Sequence, residues 1–283
     1  MKLIQKIALL LIVAPTLGLA SPIKVGSTTI EVPVPRGFAL VIPEMTQVSE
    51  LQKHFTPPTN DQFAAFIAES DVPQALAGEI PRLQRRFTVQ SAKSLVDRPV
   101  TQAEFVQLKR TFASDNERMF EELRNKLPDL MSKASKGVSD QLDTQLVIEI
   151  GGIVPFPSHY EDERSLSSSM IARNEFTSAD GEALIDVIAA TMTLIHVKDR
   201  VLFIYAYGSK DDLDWTREAS KEWIKTIVSA NASNTSANPS SQRSRNSSGG
   251  INWDRVVSKA IGGAFIGLII AFIWWLVGRR KQS

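Results

Sequence analysis

The chain has 283 residues, 43% of them hydrophobic and 22% charged, with a net charge of +1 and no cysteine. The charge is unevenly spread: residues 21–230 carry 23 Lys and Arg against 30 Asp and Glu, and only Asp254 among the acids lies outside that region. An acidic centre argues against nucleic-acid binding, which needs clustered Lys and Arg, and the lack of cysteine removes disulfides, thiolate metal sites and a Cys nucleophile.

The N-terminus starts basic, with Lys2 and Lys6, and then runs apolar from Ile7 until Pro15. Small residues at Gly18 and Ala20 follow. This is the layout of a secretory signal peptide over residues 1–20, with cleavage after Ala20. The run is too short to span a bilayer.

Residues 21–230 are expected to form an extracytoplasmic α+β domain. Two short strands are predicted at residues 28–32 and 38–42, turned by Pro33, Pro35 and Gly37. "DQFAAFIAES" and "RRFTVQSAKSL" give a third and fourth strand. A long helix begins at Thr101, where Thr101 and Glu104 form a capping box. Phe105, Leu108, Phe112, Met119, Leu123 and Leu127 recur near helical spacing as its buried stripe, and Pro128 is expected to kink or end it. "QLVIEIGGIVPF" reads as a strand stopped by Gly151 and Gly152, and "SSSMIARNEF" as another. Residues 186–207 read as a hairpin turning at Lys198 and Asp199. Ser209 and Asp212 cap a last helix, whose Trp215, Ala219, Trp223 and Ile227 share one face. Two helices packed on an antiparallel sheet is an α+β layer arrangement.

Residues 231–250, rich in Ser, Asn and Gly without large apolar side chains, are expected to be a flexible linker. Residues 251–283 then read as a transmembrane helix with a short basic cytoplasmic tail. From Ala260 to Gly278 no residue is charged, about 28 Å as a helix. Trp274 and Trp275 suit the interface, and Arg279, Arg280 and Lys281 orient that end to the cytoplasm. Ala260, Gly263, Ala264, Gly267 and Ala271 supply small residues through which such a helix packs on a second copy.

The hairpin at 186–207, followed at once by an amphipathic helix, resembles PsbP-like domains. The opening "TIEVPVPRGF" is similar to a "VP.P.GF" opening of uncharacterised bacterial envelope proteins. The resemblance implies an accessory or binding domain outside the cytoplasm, with no functional residue carried over.

Candidate chemistry is sparse. His54 and His196 have structural explanations at a helix end and on a hairpin strand. His159, within "PFPSHYEDERSL", has Tyr160 and Glu161 beside it, and imidazole with carboxylate serves acid–base work. No nucleophile elbow, metalloprotease, Walker, dinucleotide or EF-hand signature occurs, and no cofactor or metal is expected. The reading is a single-pass, membrane-anchored binding or scaffolding protein of the cell envelope, working in a protein complex through the Pro-rich loop at 155–165. The alternatives are an envelope hydrolase using His159 and Glu161, and a dimerising transmembrane element.

Overall fold

A computed structural model of the protein describes residues 20–114, 116–143, 145–178, 181–232 and 251–267. The chain opens with a hairpin, β1 (Ala20–Val25) and β2 (Thr28–Pro33). β3 (Phe38–Leu40), α1 (Thr46–His54) and β4 (Asn60–Ala68) follow, then the short α2 (Val72–Leu76) and β5 (Arg86–Ala92). Three helices come next: α3 (Lys93–Val96), α4 (Gln102–Ser114) and α5 (Asn116–Leu142). The second run of strands is β6 (Leu146–Pro155), β7 (Tyr160–Glu161), β8 (Ser165–Ser178), β9 (Ala183–Val197) and β10 (Arg200–Ser209). α6 (Leu213–Ala230) and α7 (Trp253–Gly267) complete the described chain.

β1 and β2 form a separate two-stranded ribbon. The other strands make one antiparallel sheet in the order β3-β4-β5-β10-β9-β8-β6, with β7 also on β8. Alternation along β10 divides the core. Val201, Phe203, Tyr205 and Tyr207 meet the face covered by α4, α5 and α7, whereas Leu202, Ile204 and Ala206 meet α6 and the β1–β2 ribbon. The sequence placed two helices against the sheet; the fold is α+β as expected, but its helices cover both faces. On the first face a neighbouring cluster packs α1 against the second half of α5 through Val48, Leu51, Met131 and Val138. The start of the outer edge of β6 is held by α5: the Leu146 and Ile148 amides donate to Ser139 and Ser135 hydroxyls at 3.0 Å each, which withdraws those two donors from pairing with another strand.

Several local expectations change. Residues 28–32 pair with β1 rather than with residues 38–42, because Gly26 takes φ +59° in a two-residue turn that aligns Val25 with Thr28. β3 pairs with β4 instead. Pro128 lies inside α5 without ending it, since Leu127, Met131, Ala134 and Val138 bury themselves on either side of it, and tertiary packing outweighs one lost backbone bond. Gly151 and Gly152 do not stop β6; they form a bulge at the Ile150/Gly152 register shift, and a Cβ at Gly151 would collide with the Glu175 carboxylate. The end of "RRFTVQSAKSL" is α3. The hairpin turn at Lys198 and Asp199 holds, with φ of +47° and +57°, the left-handed pair of a type I′ turn. Both predicted caps form: Thr101 with Glu104 and Ser209 with Asp212.

Candidate functional site

The segment between β6 and β8 carries His159 and Glu161, and two helices pin it from opposite sides. On the α6 side, the Arg217 guanidinium stands 5.3 Å over the Phe156 ring and the Lys221 ammonium 5.6 Å from the Tyr160 ring centroid. On the α4 side, Lys109 pairs with Glu161 at 2.8 Å and donates to the Asp162 carbonyl, and Gln102 donates to the Glu163 carbonyl at 2.7 Å. The turn is tied internally by Asp162, which accepts from the Tyr160 hydroxyl at 2.7 Å, the Ser165 hydroxyl at 2.7 Å and the Arg164 amide at 2.8 Å. Burial alone would raise the Asp162 carboxyl; these bonds outweigh it and hold the group below the usual carboxylate range. The result is a fixed, polar surface that keeps Ser158, His159, Glu163 and Arg164 exposed.

Beneath this segment, α6 meets the sheet through hydroxyls rather than apolar side chains. Ser169 Oγ lies 2.9 Å from Thr191 Oγ1, which lies 2.8 Å from Thr216 Oγ1, and Thr216 donates to the Leu213 carbonyl at 2.7 Å. A hydroxyl has one proton to give. Thr216 spends its proton on a carbonyl, so Thr191 must donate to Thr216 and Ser169 must donate to Thr191. Ser169 is then left with acceptor capacity only. It takes the Arg217 Nε–H at 3.3 Å, and His159 Nδ1 at 3.4 Å can contribute only as a donor. That assigns the Nδ1–H tautomer to His159. The imidazole therefore does not act as a base toward Ser169, whose surface is in any case fully buried.

His159 and Glu161 attend to different helices, one to α6 and the other to α4, so the structure gives them separate partners rather than a shared centre. Although His159 as a whole is exposed, the packing of its ring against Ser169 and Arg217 desolvates the imidazole in part; this, with the Arg217 charge adding to it and Glu218 opposing, lowers it to about 4, so it is neutral near pH 7. His196 is held at both ring nitrogens, by Gln102 Oε1 at 2.8 Å and the Val100 carbonyl at 2.6 Å, and stacks on Phe105. His54 ends α1 and packs over Gly137 of α5. Among the described residues no three or more His, Asp or Glu side chains gather as a metal site.

Two cavities lie elsewhere. One, of about 580 Å³, runs between α1 and the outer edge of β4 beside the buried amides of Gln52 and Asn60 and the half-buried Gln62. The other, of about 530 Å³, separates α5 and α7 from the loop at 57–59. The sequence pattern did not announce either, because each is formed by elements far apart in the chain.

Composition predicts that α7 begins a membrane helix. Its described part is a core element: Val256, Val257 and Ile261 are buried with Leu108, Phe112, Leu127 and Tyr205. Asn60 Nδ2 donates to the Lys259 carbonyl at 3.2 Å, Lys259 Nζ to Ser94 Oγ at 3.2 Å, and Trp253 Nε1 to Gln107 at 3.3 Å. Ala260, Gly263, Ala264 and Gly267 belong to α7. Ala271, Trp274, Trp275, Arg279, Arg280 and Lys281 lie outside the described residues, as do residues 1–19 and 233–250. Among the described residues no helix is long and apolar enough to cross a membrane.

No protein-family model matches the chain, and no curated protein matches it. Among solved structures it is weakly similar to cyanobacterial PsbP (CyanoP) from Synechocystis sp. PCC 6803, with TM-score 0.25 and 11% identity over 77% of this chain and 95% of that one. It is also weakly similar to the Ran-binding protein Mog1p of Saccharomyces cerevisiae, with TM-score 0.23 and 10% identity over 75% of this chain and 93% of that one. Likenesses at this level carry no functional weight.

Proposed function

We propose that the chain is a single-pass membrane-anchored binding or scaffolding protein of the cell envelope, its α+β domain outside the cytoplasm and its activity exercised within a protein complex. One observation carries the reading: α7 is both a piece of the domain core and the start of an uncharged run. Lys259 is the last charge before Arg279, and the turn around it is already bonded to β4 and α3.

Ile261 and Gly262 are buried in the domain, so entry into lipid falls after Gly262. The uncharged residues that remain, 263–278, amount to about 24 Å as a helix, somewhat less than the hydrocarbon thickness of about 30 Å. Trp274 and Trp275, with the long side chains of Arg279, Arg280 and Lys281, suit such a short span by sitting at the far interface. The pinned segment at 155–165 is the surface offered to a protein partner. Its side chains are already ordered, so association there loses little conformational entropy.

The test is extraction. Membranes carrying the full chain are washed with alkaline carbonate and then with detergent, beside a chain ended at Gly262. The full chain is expected only in the detergent fraction and the shortened one in the wash. Full-length protein in the carbonate wash overturns the anchor.

A further inference from the structure

We infer that the cleft between α5, α7 and the loop at 57–59 receives the headgroup of an anionic phospholipid; this deepens the membrane reading above and rests on it. Three basic residues from two helices line this cavity of about 530 Å³: Lys133 from α5, and Arg255 and Lys259 from α7, the last with its ammonium also donating to Ser94 of α3. Arg255 and Lys259 are four residues apart, hence one turn apart on one helix face. Lys133 reaches the same space from more than a hundred residues earlier, so the convergence is a product of the fold and not of a local basic run.

The depth of the cleft matches its chemistry. Lys259 immediately precedes the uncharged run that begins at Ala260, which puts its turn at headgroup level when that run enters lipid. Asp129 and Asp254 also line the cleft. Three cations and two carboxylates leave one net positive charge, the complement of a headgroup with a single net negative charge and not of a zwitterion. Ser258 adds a hydroxyl donor for phosphate oxygens, while Leu130 and the prolines of the loop give the apolar wall that a glycerol and the first acyl carbons require. The rest of the domain is acidic, so this is a local attraction and not a general one.

The experiment uses the full chain in nanodiscs of equal parts phosphatidylcholine and phosphatidylglycerol, with retained lipid measured by native mass spectrometry after mild detergent release. Wild type is expected to retain phosphatidylglycerol over phosphatidylcholine. Arg255→Gln and Lys133→Gln should each lower that preference about fivefold, from roughly 1 kcal/mol per basic residue near an anionic surface. Lys136→Gln, on α5 but outside the cleft, should leave it unchanged. Added salt should weaken the preference in wild type. A wild-type protein that inserts without preferring phosphatidylglycerol, or cleft variants that retain it as wild type does, overturn the headgroup site and leave the anchor standing. A full chain that does not insert at all overturns both.

Discussion

At the scale of single residues, the most informative group is His159. Its imidazole is lowered to about 4 from an ordinary value near 6.5. The unfolded chain therefore takes up this proton before the native chain does as pH falls. The stabilisation from His159 is complete above pH 6.5 and is lost progressively down to about pH 4. The stability gap between wild type and His159→Gln, read from urea midpoints, should shrink across that window; a constant gap would mean an ordinary imidazole. The proton count along Ser169, Thr191 and Thr216 makes a second prediction, since nitrogen NMR of the ring should report the Nδ1–H tautomer. Thr191→Val keeps the shape, removes the donor to Thr216 and the acceptor for Ser169, and should cost about 1–3 kcal/mol. Arg86 is the most deeply buried cation among the described residues, fully enclosed, with its guanidinium 4.5 Å from the Tyr207 ring centre. Burial lowers it to about 10, opposed by Tyr207 and Asp186, so it stays charged at neutral pH. Its removal leaves the half-buried Asp186 without its main counter-charge, and Arg86→Ala should cost about 3–5 kcal/mol in urea denaturation.

At the scale of elements, two junctions decide how the strands and helices meet. The β1–β2 turn depends on Gly26, which has a positive φ and lies so close to α3 that an added Cβ would fall 2.5 Å from the Val96 carbonyl oxygen. Gly26→Ala meets both problems and should lose at least about 1–2 kcal/mol from the backbone conformation alone. Gly26→Asn relieves the conformational part but not the contact, so it should remain well below wild type in melting temperature. A variant as stable as wild type would show that α3 yields freely. The second junction is α7. Ile261 is fully buried among residues of α4, α5 and the sheet, and Ile261→Ala should cost about 2–5 kcal/mol. Ending the chain at residue 232 removes all of α7 and uncovers Phe112 and Leu108. That product should melt below one ending at Gly267, although composition alone marks residues 21–230 as the domain.

At the scale of the whole molecule, the consequence of α7 is mechanical. A Ser- and Asn-rich stretch at 231–250 suggested a domain hung loosely from its anchor. Because α7 returns to the core after that stretch, the domain and the start of the apolar run move as one body. If the apolar run enters a bilayer as proposed above, the orientation of the domain there is set by packing rather than by the reach of a linker. Cysteines placed at Val257 and Leu108 should crosslink readily in the full chain in membranes; failure to do so, with a folded domain, would show that α7 leaves the core on insertion.

Whatever depends on near neighbours can be read along the chain: the two capping boxes, the hairpin with its left-handed turn at Lys198 and Asp199, the amphipathic helix α6, and the α+β class. These are legible because periodicity and caps act over a few residues. The pairing of β2 with β1, the passage of α5 through Pro128, the separation of His159 from Glu161, the direction of the hydroxyl protons and the docking of α7 were decided only in three dimensions. Each turns on which distant group lies opposite, and burial against a remote surface outweighs the local preference that a linear pattern records.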